Sequence, residues 1–134
     1  MEIQEFHRNF VVLGLTRSDL GTMGNSLNEV CNGFHVADFE RKIGVPESEA
    51  EHFLHEIGKT YRQWKAESMS YGFRSFSRRE LRAIIGAFHE VFIEMDYEFE
   101  LHTRLGAWRW EMDKILSEIT LIYQRMIEAR NAGR

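Results

Sequence analysis

The sequence predicts a mainly helical domain built from two related halves. Three observations carry that expectation: an internal echo at a spacing of 61 to 62 residues, capped helical stripes in both halves, and only two short strand-like stretches. At an offset of 61, Leu20, Glu29 and Val30 meet Leu81, Glu90 and Val91, with Asp19/Glu80, Thr16/Ser77 and Leu27/Phe88 as conservative pairs. One inserted residue moves the offset to 62, where Gly44/Gly106, Glu49/Glu111, Leu54/Leu116, Glu56/Glu118, Ile57/Ile119 and Tyr61/Tyr123 coincide. Two amphipathic helices can agree through their period alone, so the glycine match and the shared order of turn, helix and helix carry more weight. The expected architecture is two pseudo-twofold repeats, about 10–64 and 71–126, each a short strand plus about three helices. They share one core within a single domain, 1–134.

In the first half, Phe10-Val11-Val12-Leu13-Gly14-Leu15 is short, apolar and β-branched, and it stops at Thr16, which reads as a strand running into a helix cap. Leu20, Met23, Leu27, Val30, Cys31 and Phe34 then follow a helical stripe that ends at Asn32-Gly33. A short helix from about Val36 to Ile43 stops at Gly44. Pro46, Glu47 and Glu49 suit the start of a longer helix whose face is Ala50, Phe53, Leu54, Ile57, Tyr61 and Trp64. Lys65 to Ser70 is the joint between the halves.

The second half repeats the plan. Tyr71 to Phe76 is the matching extended segment, and Ser77 with Glu80 forms a capping box. Leu81, Ile84, Ile85, Phe88 and Phe92 make the next stripe, a break falls near Asp96, and a short helix ends at Gly106. Met112, Ile115, Leu116, Ile119, Ile122, Tyr123 and Met126 line the last helix. The two strands are expected to pair as an antiparallel ribbon, which needs helices over it to be stable.

A chain of 134 residues buries roughly two thirds of its unfolded surface, whereas each half alone would be marginal, so a shared core is required. Ten Phe, four Tyr and three Trp can fill it. The net charge of −4 gives no general attraction to nucleic acid or to an anionic membrane, and it favours a basic partner. The one cysteine, Cys31, has no internal disulfide partner, and the start MEIQEFHRNF lacks the basic-then-apolar order of a signal peptide. No apolar run approaches the roughly 20 residues that span a bilayer. A cytoplasmic location is expected.

Four sets of residues have the composition for chemistry or binding. Glu49 and His52 have the ExxH spacing of di-iron bundles, with His55 one turn on and Glu56 beyond, but the matching positions of the second half are Glu111 and Lys114, and a lysine is no ligand there. Cys31 with His35 has the composition of a nucleophile and base, yet Cys31 lies on an apolar stripe, where thiols are inert. Arg74, Arg78, Arg79 and Arg82 form the one basic cluster, a pattern a helix-turn-helix reader would use on phosphates. No phosphate loop, nucleophile elbow or paired-cysteine motif is present, so no catalytic residue, metal or cofactor is expected.

The fourth set separates the halves. The first connector, 32–38, is nearly neutral, whereas the second, Ile93-Glu94-Met95-Asp96-Tyr97-Glu98-Phe99-Glu100, is longer and strongly acidic. Carboxylates interleaved with aromatics suit a basic protein surface, the rings anchoring and the acids steering. Glu94, Asp96, Tyr97, Glu98 and Glu100, with Trp108 just after Gly106, are therefore the expected partner-binding residues.

The segment Leu27-Asn28-Glu29-Val30-Cys31-Asn32-Gly33, followed by Phe39-Glu40 and Ile43-Gly44, resembles a widespread group of small bacterial proteins with an LNEV-x-NG…FE-x-x-IG pattern. Phe99-Glu100-Leu101-His102-Thr103-Arg104-Leu105-Gly106 resembles the EF-x-x-x-TR-x-G half of the same pattern. The pattern consists of caps and core positions, so the resemblance implies a shared fold. By size, charge and architecture the chain is also similar to immunity proteins that neutralise contact-dependent or polymorphic toxins. The expected function is a non-catalytic protein-binding module, an immunity-type inhibitor that masks a basic toxin domain. The alternative is an adaptor that forms a homodimer through its last helix, with Ile122 and Met126 in the contact; a metal enzyme using Glu49, His52 and Glu56 ranks below both.

Overall fold

The computed structural model describes residues 1–133 and is mainly helical with one small antiparallel sheet. Its elements are β1 (Glu2–Phe6), β2 (Phe10–Thr16), α1 (Arg17–Asn28), α2 (Phe39–Ile43), α3 (Glu47–Ala66), β3 (Tyr71–Ser77), α4 (Arg78–Glu94), α5 (Glu98–Leu105) and α6 (Arg109–Ala132). α1 runs on into a π-helical turn, Glu29–Gly33.

Both caps read from the sequence form. The Thr16 hydroxyl accepts from the Asp19 N–H at 3.0 Å, and the Ser77 hydroxyl accepts from the Glu80 N–H at 3.0 Å. Each satisfies a donor that the first helical turn leaves unpaired. The short helices α2 and α5 both stop at a glycine in the left-handed region, Gly44 at φ 94° and Gly106 at φ 75°, a conformation a side chain would penalise.

The sheet has the order β1-β2-β3, so the expected two-stranded ribbon is corrected to three strands. β1 shows no clean alternation in the sequence because a bulge between Ile3 and Glu5 interrupts it. Ile3 pairs with Leu13 and Phe6 with Val11, which places two residues three apart on the same inner face. β2 and β3 run in register from Phe10↔Ser77 to Thr16↔Tyr71, centred on Leu13↔Arg74. The order of strand, helix, short helix and long helix occurs twice along the chain, with β2 and β3 equal in length and starting 61 residues apart.

One face of the sheet supplies Val11, Leu13, Leu15 and Phe76 to the core, where they meet Leu20, Met23 and Leu27 of α1 and Leu81, Ile84 and Phe88 of α4. α4 is the most enclosed helix, with every residue from Ala83 to Phe88 buried. Against it α2 comes so close that a Cβ on Gly86 would lie 2.7 Å from the Lys42 carbonyl oxygen and 2.8 Å from the Ile43 Cα. Two buried carboxylates are compensated: Glu80 takes a two-pronged pair from Arg74 at 2.8 and 3.0 Å, and Glu29 is held by Arg104.

α6 contributes Met112, Ile115, Ile119, Ile122 and Met126 to this same core. Ile122 and Met126 are therefore covered within the chain and are not the exposed side chains that the expected contact between copies would use. An amphipathic stripe is the same whether it packs inside or between chains, and here α4, with α5 at its margin, covers it.

Two outcomes follow from this packing. Gly86→Ala should lose about 1–2 kcal/mol in a denaturant titration, although helix propensity alone favours alanine by about 1 kcal/mol, because backbone rather than a flexible side chain opposes the new methyl; equal or greater stability would mean that α2 does not approach α4 this closely. Met126→Ala should cost about 2–5 kcal/mol, with a melting temperature that does not depend on protein concentration. A concentration-dependent shift would restore the dimer contact.

Candidate functional site

The acidic connector is anchored before it is exposed. The Met95 side chain is fully buried and its N–H donates to the Val91 carbonyl at 2.7 Å, closing α4. Leu101, Leu105 and Ala107 then pin α5 and its exit to the core. Ile93, two residues before the first anchor, and Tyr97 and Phe99, between the anchors, face outward at 74%, 67% and 63% exposure. Trp110 follows at 66%. A structure of this size leaves isolated apolar residues outside as a matter of course, but here four large ones fall within 18 residues of sequence.

The rings have local supports. Tyr97 and Phe99 lie 6.5 Å apart at a tilt, and Trp108 stacks on His102 at 3.8 Å. Trp108 starts α6, its backbone N–H donating to the Glu111 carboxylate at 3.0 Å. Arg109 lies over the Phe92 ring at 3.9 Å and reaches Asp113 at 3.5 Å.

The carboxylates divide into two kinds. Among the described residues no cation lies within ion-pairing distance of Glu94, Asp96 or Glu98. Glu100 differs: it meets Arg104 at 3.1 Å, and Arg104 also holds the buried Glu29. The structure thus brings Glu94, Asp96, Tyr97 and Glu98 to one exposed connector, keeps Trp108 beside it half covered by His102, and gives Glu100 an internal task. Ile93, Phe99 and Trp110 extend the surface beyond the residues named from sequence. Their signal was present, since Ile93 falls off the apolar stripe of α4 and Trp110 off that of α6.

The other residues weighed for chemistry are placed differently. Glu49 is gripped by Arg79 through two contacts of 2.6 Å, which hold its carboxyl below the usual range, and Glu56 turns to Lys59. His52 and His55 are exposed, and among the described residues no three His, Cys, Asp or Glu side chains converge as metal ligands would. Cys31 and His35 line one shallow cavity beside the π-helical turn without a hydrogen bond between them. Burial, with the Glu51 and Glu47 charges adding to it, pushes the Cys31 thiol up to about 11, so at neutral pH it is protonated and a poor nucleophile.

The four arginines do not form a common stripe. Arg74 is committed to Glu80 and Arg79 to Glu49, while Arg78 donates to the Arg8 carbonyl and the Asn9 side chain, and Arg82 to the Ile43 and Lys42 carbonyls. A second exposed apolar group, Phe10, Tyr71 and Phe73, lies at the sheet, where Tyr71 and Phe73 pack edge to face at 5.7 Å.

Compared with protein-family models, with curated proteins and with solved structures, the chain matches none.

Proposed function

We propose that this chain is a non-catalytic protein-binding module whose exposed connector, from Ile93 to Trp110, covers a basic protein surface. One observation carries the reading: three carboxylates without cations, Glu94, Asp96 and Glu98, stand among the exposed side chains of Ile93, Tyr97, Phe99 and Trp110. Unpaired acids in close sequence repel one another, and a cationic partner relieves that repulsion. Exposed rings on an anchored segment lose little entropy on binding, which makes them efficient contacts. In its most specific form the module is an immunity-type inhibitor that masks a basic toxin domain in the cytoplasm, where Cys31 stays a thiol.

The same reading takes the domain as a duplication in which one connector diverged. Its supports are the equal strands starting 61 apart, the paired caps at Thr16 and Ser77, and the left-handed stops at Gly44 and Gly106. In the first copy the corresponding stretch is short of acid, and its Asp38 is taken up by Arg41. A charge difference concentrated in one connector is what a binding surface grafted on a duplicated scaffold would produce.

The test is capture from native lysate by wild-type protein beside Glu94→Lys/Asp96→Lys/Glu98→Lys and, separately, Tyr97→Ala/Phe99→Ala. Glu100 is left alone because it helps to hold Arg104. A basic protein retained by wild type, released by added salt, and bound at least about tenfold more weakly by both variants is the expected result, since single anchoring aromatics contribute about 2 kcal/mol or more. Retention of the same partner by the charge-reversed variant with unchanged affinity would overturn the reading, as would a mass measurement in which the protein's sole partner is a second copy of itself.

A further inference from the structure

The basic segment Arg78-Arg79-Glu80-Leu81-Arg82 has no part in the acidic connector, and its surroundings are unusual for a chain of net charge −4. Gly44, Arg78, Arg79, Arg82, Tyr123, Ile127 and Arg130 line a cavity of about 140 Å³. The walls come from the end of α2, the first turn and a half of α4 and the last turns of α6. Arg8 adds a fifth guanidinium nearby, close enough to Gly133 that a Cβ there would lie 2.7 Å from it.

Of the four guanidiniums that line the cavity, Arg79 alone has a carboxylate partner among the described residues, Glu49, with the Glu40 charge also acting on it. Among the described residues no carboxylate lies within ion-pairing distance of Arg78, Arg82 or Arg130. Glu49 approaches but is occupied on both oxygens by Arg79. Arg78 and Arg82 are held instead by neutral acceptors: Arg78 by the Arg8 carbonyl at 3.3 Å and the Asn9 side chain at 3.2 Å, Arg82 by the Ile43 and Lys42 carbonyls at 3.2 and 3.4 Å. Neutral acceptors orient a guanidinium without cancelling its charge. Each guanidinium has five N–H donors, so both keep donors to spare.

The position of Arg82 is also built into the backbone. Gly44, at φ 94°, leaves room for its stem, since a Cβ there would sit 2.6 Å from the Arg82 Cγ, and a Cβ on Gly86 would sit 2.9 Å from its terminal nitrogen. Gly44 therefore makes way for the Arg82 stem, while at Gly86 the nearer neighbours are the Lys42 and Ile43 backbone. A guanidinium placed with this care and left without a counter-charge matches the geometry that recognises a tetrahedral oxyanion through paired N–H donors.

Size narrows the ligand. A volume of about 140 Å³ exceeds what a single water needs but falls well below the roughly 300 Å³ at which pockets begin to enclose drug-sized ligands. We infer that the cavity between Arg78, Arg82, Arg130 and Tyr123 binds a small phosphate-class oxyanion, either the free ion or the terminal group of a small phosphorylated molecule. This inference does not rest on the acidic connector, which lies on another part of the fold and carries the opposite charge.

The experiment is an isothermal and NMR titration of the full chain with inorganic phosphate and, in parallel, with glycerol 3-phosphate, each at constant ionic strength. Arg130→Gln and Arg78→Gln serve as variants because their guanidiniums are not committed to a buried carboxylate, and circular dichroism verifies that both fold. The expected result is a dissociation constant of about 1 mM or tighter for wild type, and weakening by about tenfold in either variant, as for loss of one charge-assisted contact. Tighter binding of inorganic phosphate assigns the site to the free ion, and tighter binding of the ester assigns it to a phosphorylated molecule. Absence of binding by wild type at 10-fold that concentration, affinity unchanged in both folded variants, or a single-stranded oligonucleotide that outcompetes both phosphates by following a longer track would overturn the inference.

Discussion

The antiparallel ladder between β2 and β3 is the constraint on which the remainder of this fold depends. It runs unbroken over seven residue pairs, and it continues past both ends through the Arg17 N–H to the Ser70 carbonyl at 2.9 Å and the Arg78 N–H to the Asn9 carbonyl at 3.0 Å. Each strand passes without a loop into a helix, β2 into α1 through Thr16 and β3 into α4 through Ser77. The register of the ladder therefore sets where the two main core helices begin and how they face one another. A shift by one residue would turn Leu13 and Phe76 toward solvent and separate α1 from α4. The flanking helices then cover one face of a ribbon that would not persist alone.

Given that frame, the acidic connector follows from a mismatch between what α4 and α5 can bury and what their sequence contains. Met95, Leu101 and Leu105 use the available core positions. The intervening residues have no inward site left, and their aromatics remain outside at a substantial cost in exposed apolar area. The domain tolerates that cost because stability is gained elsewhere, chiefly around α4. Surfaces that a protein does not need for its own folding, yet keeps apolar and charged, are the ones available to a partner.

Arginine illustrates how local partners decide the role of one residue type. Arg74 and Arg104 neutralise the buried acids Glu80 and Glu29, and their charge is spent internally. Arg79 clamps Glu49 on the surface, tying α4 to α3. Arg78 and Arg82, a few residues away, find only carbonyl and amide oxygens, which fix their direction and leave their charge uncompensated. A net charge of −4 averages over these cases and conceals a concave place lined by Arg78, Arg79, Arg82 and Arg130.

Much of the local structure was determined by the sequence itself, because its signals act over a few residues. Thr16 and Ser77 start helices, Gly44 and Gly106 stop them, and the apolar stripes name the core faces of α1, α3, α4 and α6. The acidic connector and most of its exposed residues were equally legible, since charge density needs no tertiary context. What the tertiary structure alone decided were the pairings between distant segments: β1 as a third strand through a bulge, the covering of Ile122 and Met126, the reach of Arg104 to the buried Glu29, and the separate fates of the arginines. An apolar stripe does not state what covers it, and a charge does not state which counter-charge the fold will bring beside it. Those depend on contacts between residues tens of positions apart, which only the closed ladder and the packed helices bring together.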